Sequence, residues 1–336
     1  MKKKQLNERQ LDRIQRRQDK HVADAADTEG AGTVPVGGPQ RRGLVLSHFG
    51  QQLDVEATDG ADRGSIIRCY QRSNLDPLVT GDEVIWQQGE AANVVIAGLP
   101  RRSVLRRPNM LGELKPVAAN IDTLVVVIAP EPEAHRNLID RYLVAAENHG
   151  LRPLLVLNKS DLPVDGKRAA LVEMLASYAT LGYPTLTVSS RSRAGLAQLE
   201  ARLATGTSIF VGQSGVGKSA LVNALLPGVN TLEGSLSQGV TKGRHTTTSA
   251  RLFHFPGGGH LIDSPGIREF GLTHLEPEAL LRGFIEFLPF LDGCRFRDCK
   301  HTREPGCRLQ EAVAQGRIDP LRLASYQQIR SSLEQP

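Results

Sequence analysis

SIFVGQSGVGKSALVNALL, residues 208–226, sets an apolar strand and an apolar helix on either side of a glycine-rich loop. Gly212, Gly217, Lys218 and Ser219 complete G-x-x-x-x-G-K-S within it. The glycines let backbone N–H groups converge on phosphate oxygens, and the helix N-terminus adds its dipole. Gln213, Ser214, Gly215, Val216 and Ala220 fill the rest of the cradle. Lys218 is expected to reach the β- and γ-phosphates, and the Ser219 hydroxyl to ligate Mg²⁺. Such a loop ordinarily follows the first strand of its domain, yet here it begins almost two-thirds of the way along 336 residues. What precedes it decides the fold.

A chain of this length holds several cores rather than one. No apolar run approaches the ~18 to 20 residues that span a bilayer; the longest, 124–129 and 154–157, have the length of buried strands. The N-terminus, MKKKQLNERQ, has positive charge but no apolar stretch behind it, so it is not a secretory signal. The expectation is a cytoplasmic protein with no membrane partner. Residues 1–20 carry eight Lys/Arg against three Asp/Glu, which equals the whole net charge of +5. Such a tail has nucleic acid as its commonest polyanionic partner. Residues 21–40 are small and bear Gly and Pro without periodicity, so 1–40 reads as a basic tail and linker.

Residues 41–107 hold five short alternating segments, GLVLSHFG, LDVEAT, SIIRCYQRS, GDEVIWQQ and NVVIAGL. These predict a small closed barrel, most economically an OB-fold. Arg68, Arg72, Arg101, Arg102, Arg106 and Arg107 would give it a basic surface for RNA. Phe49, Tyr70 and Trp86 are either stacking platforms there or barrel core, and Cys69 is a core thiol. From Asn120 the rhythm changes to buried strands alternating with amphipathic helices, one of them closed by Gly150. Residues 108–285 therefore predict an α/β doubly wound sheet.

Asn158-Lys159-Ser160-Asp161 follows the strand PLLVL. A carboxylate at that strand end accepts hydrogen bonds from the guanine N1–H and exocyclic amine. Adenine would present a lone pair there, a mismatch that discriminates steeply. Asp161 thus disfavours an ATP-dependent kinase or ligase. Asn158 would hold the base edge and the Lys159 stem cover its face. Ser189 and Ser190, ending the next strand, could supply backbone donors to the guanine carbonyl. Asp263-Ser264-Pro265-Gly266 follows HLI. Asp263 is expected to reach Mg²⁺ through water, and the Gly266 N–H to meet the γ-phosphate. Between the loop and this motif lies GVTKGRHTTTSARL, where Thr247 would close on Mg²⁺ and γ-phosphate. In chain order, base recognition comes first and the switches last: a Ras-like GTPase cut and rejoined. Finally, Cys294-x4-Cys299-x-His301-x5-Cys307 offers three thiolates and one imidazole. That set closes a tetrahedral Zn²⁺ with no open position, a structural site in a small helical domain, 286–336.

With these motifs in this order the chain resembles the ribosome small-subunit-dependent GTPase A family, the RsgA or YjeQ type of circularly permuted GTPase. The resemblance runs from Arg41 to the C-terminus and rests on TGDEV, NKSD, GQSGVGKS, GRHTTT, IDSPGIREFGL and the Cys/His cluster. It implies an OB-fold, a permuted GTPase domain and a zinc-binding domain acting late in maturation of the small (30S) ribosomal subunit. Hydrolysis of GTP to GDP would be slow until that subunit and its rRNA are bound, with release afterwards; the protein would act as a monomer. Ile267 stands where Ras-like enzymes carry a water-positioning Gln, and His245 matches the histidine proposed for that task in the family. Gly215 stands where potassium-stimulated GTPases often place Asn. His254, between Phe253 and Phe255, is expected to pack. The rival reading is a GTP-dependent rRNA-binding assembly scaffold whose hydrolysis is incidental.

Overall fold

The computed structural model describes residues 38–89, 92–108, 113–163, 166–227, 250–263 and 276–333. The chain divides into two compact units, one built from 1–121, 243–253 and 261–265 and the other from 122–242, 254–260 and 266–336.

The first unit is built on β1 (Gln40–Phe49), β2 (Gln52–Ala57), β3 (Ile66–Gln71), β4 (Glu83–Gln87) and β5 (Asn93–Gly98). β1 pairs antiparallel with β2 and β2 with β3, while β3 runs parallel to β5. β5 pairs antiparallel with β4, and β4 returns to β1, which closes the barrel. All five segments foreseen in the sequence are strands, and their order is that of an OB-fold. Alternation explains β2: Leu53, Val55 and Ala57 are buried between outward Gln52, Asp54 and Glu56. The aromatics divide. Trp86, 1% exposed, belongs to the core with Val45, Val84 and Val95, and its indole N–H donates to the Arg42 carbonyl at 3.3 Å. Phe49 and Tyr70 stay outside at 41% and 43% exposure. Cys69 is fully buried, and burial, helped by the nearby Asp54 charge, pushes its thiol up to about 12. It is an inert core group.

Two hairpins lie beyond the expected barrel. β6 (Val104–Pro108) and β7 (Leu114–Ala119) pair antiparallel, so the limit drawn at 107/108 falls inside a strand. β12 (Arg251–His254), a strand not foreseen in the sequence, pairs through Arg251 with Ser47 of β1. β13 (His260–Asp263) follows it.

In the second unit β8 (Thr123–Ile128), β9 (Arg152–Leu157), β10 (Thr185–Thr187) and β11 (Thr207–Val211) lie in the order β10-β9-β8-β11, all parallel. TLVVVI and TSIFV are buried at every position, as strands covered on both faces must be. α1 (Arg136–Asn148), α2 (Gly166–Thr180) and α3 (Leu196–Leu203) connect them, and α4 (Lys218–Leu225) follows β11. Gly150 sits past the end of α1 with φ +64, as its role in ending the helix requires.

The chain finishes in α5 (Pro277–Arg282), a 3₁₀ turn (Ile285–Phe290), α6 (Arg308–Ala314) and α7 (Pro320–Leu333). Leu280, Phe284, Phe287, Leu309, Tyr326 and Ile329 form one cluster with Val144 and Ala145 of α1. The helical cluster thus begins at 277, ahead of the expected limit at 286. Phe284 and Phe287 stack at 4.9 Å, with Tyr326 edge-on to both. Beside this cluster, Arg322 pairs with Asp140 of α1 and, at 2.6 Å, with Glu286. Tyr178 of α2 donates its hydroxyl to the same Asp140. All four groups are buried, so this C-terminal segment is fastened to α1 and α2 by paired charges as well as by apolar contact.

Arg322→Met leaves Asp140 and Glu286 buried without their counter-charge. The expected cost is about 3–5 kcal/mol of unfolding free energy, read in denaturant titration; a loss below about 1 kcal/mol would mean the pair is not desolvated as described.

Candidate functional site

The phosphate loop leaves the end of β11, and two glycines give its path. A Cβ on Gly212, at φ +135, would meet the Val127 carbonyl oxygen at 2.2 Å. A Cβ on Gly217, at φ +92, would meet the Asn158 amide nitrogen at 2.4 Å. Both positions exclude side chains by contact and by conformation. Val216, 1% exposed, anchors the loop in the core. Ser214, Gly215 and Ala220 are exposed, and Gln213, Gly217, Lys218 and Ser219 are half-buried at its rim. The Lys218 ammonium folds back to donate to the carbonyls of Gly212 and Gln213 at 2.7 and 2.6 Å.

The residues expected to read the base stand at the neighbouring strand ends. Asn158, with no exposed surface, gives its amide N–H to the Val216 carbonyl at 2.9 Å and accepts the Ser190 N–H at 3.3 Å. Its two ends join the phosphate loop to the serine loop, whereas the sequence reading gave it the base edge. Ser189, also fully buried, donates its hydroxyl to Asp161 at 2.5 Å and accepts the N–H groups of Arg191 and Ser192. That hydroxyl holds the Asp161 carboxyl below the ordinary range, so the exposed group is ionised and purely an acceptor at neutral pH. The serine was expected to offer backbone donors; its side chain instead orients Asp161, which spacing alone does not reveal. Lys159 adopts φ +61, a conformation that costs a non-glycine residue of order 1–3 kcal/mol. Its ammonium donates to the Glu131 carbonyl at 2.6 Å, and the Ser160 N–H donates to Val188 at 3.1 Å. The structure therefore brings together 158–161, 189–190 and 212–220.

Asp263 is half-buried at the end of β13. Gly266, Thr247, His245 and Ile267 lie outside the described residues. His254 does not pack as expected: it is exposed, with Nδ1 at 2.8 Å from Nδ1 of His260 and the rings edge to face.

The second constellation stands among the C-terminal helices. The Cys294, Cys299 and Cys307 sulfurs and a ring nitrogen of His301 all lie within 4.8 Å of one another. His301 Nδ1 is 3.4 Å from the Cys307 sulfur and 3.7 Å from that of Cys294. Bonds of about 2.3 Å to sulfur and 2.0–2.1 Å to nitrogen, at tetrahedral angles, put such ligand atoms about 3.5–3.8 Å apart. The group fits one zinc. Burial pushes His301 toward the neutral imidazole a metal needs. Burial and the neighbouring thiols raise Cys299 to about 12, a clustering of would-be charges that a dication relieves. His301 itself has φ +59. Its carbonyl accepts from Gln310 and Gln327. Glu304 takes the N–H groups of Lys300, Thr302 and Arg303, which outweigh its desolvation and draw its carboxyl down to about 2. The Arg308 N–H donates to the Cys294 sulfur at 3.4 Å. None of these supports was apparent from the cysteine spacing.

A sequence profile of the RsgA GTPase family matches residues 98–273. The chain belongs to that family. It is 56% identical over 341 residues to the small ribosomal subunit biogenesis GTPase RsgA of Azotobacter vinelandii, covering 100% of this chain and 99% of that one. Its identity to the protein of the same name from Ectopseudomonas mendocina is 55%, over 99% and 98% of the two chains. Among solved structures, YjeQ from Thermotoga maritima superposes with a TM-score of 0.73 at 32% identity, covering 89% of this chain and 100% of that one. YloQ, described as a circularly permuted GTPase, gives 0.70 at 26% identity over 90% and 98%. The RsgA-family chain is therefore a GTP-hydrolysing enzyme with an OB-type barrel, a permuted P-loop domain and a C-terminal Cys₃His cluster.

If that cluster holds zinc, purified protein carries about one zinc per chain by elemental analysis. Cys307→Ser should lose most of it and unfold several degrees lower. Metal-free protein with an unchanged melting temperature would remove the structural-zinc assignment.

Proposed function

We propose that this chain hydrolyses GTP to GDP late in maturation of the small (30S) ribosomal subunit, is activated by that subunit, and leaves it after hydrolysis. One observation carries the nucleotide half: side chains of the NKSD motif are hydrogen-bonded to both the serine loop and the phosphate loop. Asp161 would accept the guanine N1–H and amine, with Asn158, Lys159, Ser160, Ser189 and Ser190 shaping the base slot. The amides of 212–220 would cradle the phosphates. Lys218 would exchange the carbonyls of Gly212 and Gln213 for phosphate oxygens, stabilising charge as the γ-phosphoryl departs. Ser219, Thr247 and, through water, Asp263 are oxygen donors of the kind Mg²⁺ takes. Bound there, Mg²⁺ would neutralise charge on the β- and γ-phosphates. The Gly266 N–H would meet the γ-phosphate. Ile267 has no group to orient the attacking water; His245, which matches the histidine proposed for that task in the family, would orient it.

The ribosomal half of the reading draws on the two full-length relatives named for small-subunit biogenesis and on the barrel surface. Arg68 lies 5.0 Å over the exposed Phe49 ring, and Gln52 donates to the Tyr70 hydroxyl at 2.8 Å. Exposed aromatics beside guanidinium groups suit unpaired rRNA bases. Arg72, Arg106 and Arg107 are exposed, whereas Arg101 is committed to Asp82 at 2.6 Å. The basic tail, 1–40, would add charge; the barrel, 41–107, would hold rRNA, the GTPase domain, 108–285, would turn over nucleotide, and the zinc domain, 286–336, would complete the subunit contact. No described helix is long and apolar enough to cross a membrane. A cytoplasmic monomer is the working form.

Turnover of GTP by full-length protein, alone and with isolated small or large ribosomal subunits, tests this. Small subunits alone should raise the rate roughly a hundredfold or more. Equal low turnover in every mixture, with tight GTP binding, would favour an assembly scaffold with incidental hydrolysis.

A further inference from the structure

The TGDEV stretch, 80–84, takes no part in the nucleotide site, yet it contains some of the most buried polar groups of the barrel unit. Thr80 and Asp82 are each 1% exposed, and Gly81 between them has φ +91. The turn is bound into the barrel on every side. The Gly81 N–H donates to the Val45 carbonyl and the Val45 N–H to the Asp82 carbonyl, both at 2.9 Å. The Asp82 carboxylate accepts the Val79 N–H at 2.7 Å and two guanidinium bonds from Arg101. The Asn120 amide donates to the Gly81 carbonyl at 2.8 Å. A turn with so many buried partners has one arrangement available to it.

Two contacts leave this turn, and they reach the two strands that flank the switch motifs in sequence. The Thr80 hydroxyl donates to the Ala250 carbonyl at 2.9 Å. Ala250 directly precedes Arg251, which pairs with Ser47, and stands three residues after Thr247. On the other side, a Cβ at Gly81 would fall 3.0 Å from the Ile262 Cδ1 and 2.2 Å from the Ala119 carbonyl oxygen. Ile262, 2% exposed, therefore packs against a bare α-carbon, and the next residue is Asp263.

We propose that Thr80 is a positioning residue for GTP hydrolysis. Its hydroxyl fixes where β12 begins, three positions after Thr247 in sequence, and the glycine beside it fixes the end of β13, so the barrel determines where Asp263 stands. The inference rests on the roles proposed above for Thr247 and Asp263.

Thr80→Val keeps the shape and deletes the donor, while Thr80→Ser keeps the donor; both are made in the full chain, with and without small subunits. Thr80→Val should lower kcat about tenfold, with KM and GDP affinity within about twofold of the parent. Thr80→Ser should stay within about twofold of the parent in kcat. Should Thr80→Val unfold below the assay temperature, Thr80→Cys, a weak donor of similar size, is read in its place and should be intermediate. An unchanged kcat in the valine variant, or equal losses in valine and serine variants, overturns the proposal. So does a loss that appears in nucleotide affinity instead. If small subunits fail to stimulate the parent, the ribosomal reading fails by itself, and the Thr80 comparison is still decided by basal turnover.

Discussion

The amide of Asn158 has no contact with water and spends both of its ends on loops that must meet around one nucleotide: the Val216 carbonyl on one side, the Ser190 N–H on the other. Removing it would leave buried backbone groups unpaired, at about 1–3 kcal/mol each. The rest of the site follows from that brace. Val216 is held, so Gly217 can pass close to the amide nitrogen and open α4. Ser190 is held, so Ser189 is in place to orient Asp161. The NKSD motif and the phosphate loop lie 58 positions apart along the chain at this contact, so the bond joins segments that are distant in sequence. The parallel sheet brings β8 and β9 beside β11, and the side chain of Asn158 fixes the spacing.

The C-terminal segment meets α1 and α2 through charge as well as apolar packing. Arg322 also lies over the Phe284 ring at 4.4 Å, so the cation is shared between carboxylates and an aromatic face. Burying such a group is costly unless every partner is present, which ties α7, α1, α2 and the 3₁₀ turn to a single arrangement. The Cys₃His cluster then has a fixed base: Cys307 belongs to the same apolar core as Phe284 and Tyr326.

Much of this was legible in the residues. Strand alternation in LDVEAT and the unbroken apolar runs of β8 and β11 gave the barrel and the sheet, since period and length carry those signals directly. The phosphate loop, NKSD and the Cys₃His spacing stood out because their chemistry needs particular residues at particular intervals. What stayed hidden depends on contacts distant in sequence. The inward turn of Asn158, the Ser189 hydroxyl on Asp161 and the Arg322 network have no local pattern. Trp86 and Phe49 look alike in sequence; only closure of the barrel puts one in the core and the other outside. β12 went unforeseen because it is short and follows a run rich in Ser, Thr and Gly. His254 was expected to pack because its neighbours are aromatic, but in a strand adjacent side chains face opposite ways.

The claim on which all of this rests is that Asp161, oriented by Ser189, reads guanine. Calorimetric titration of the full chain with GDP, ADP and XDP, repeated for Asp161→Asn, tests it most directly. The account predicts that the parent prefers GDP over ADP by a thousandfold or more, and that the variant shifts its preference from GDP toward XDP. Comparable affinity for GDP and ADP in the parent, or an unchanged order in the variant, would contradict it.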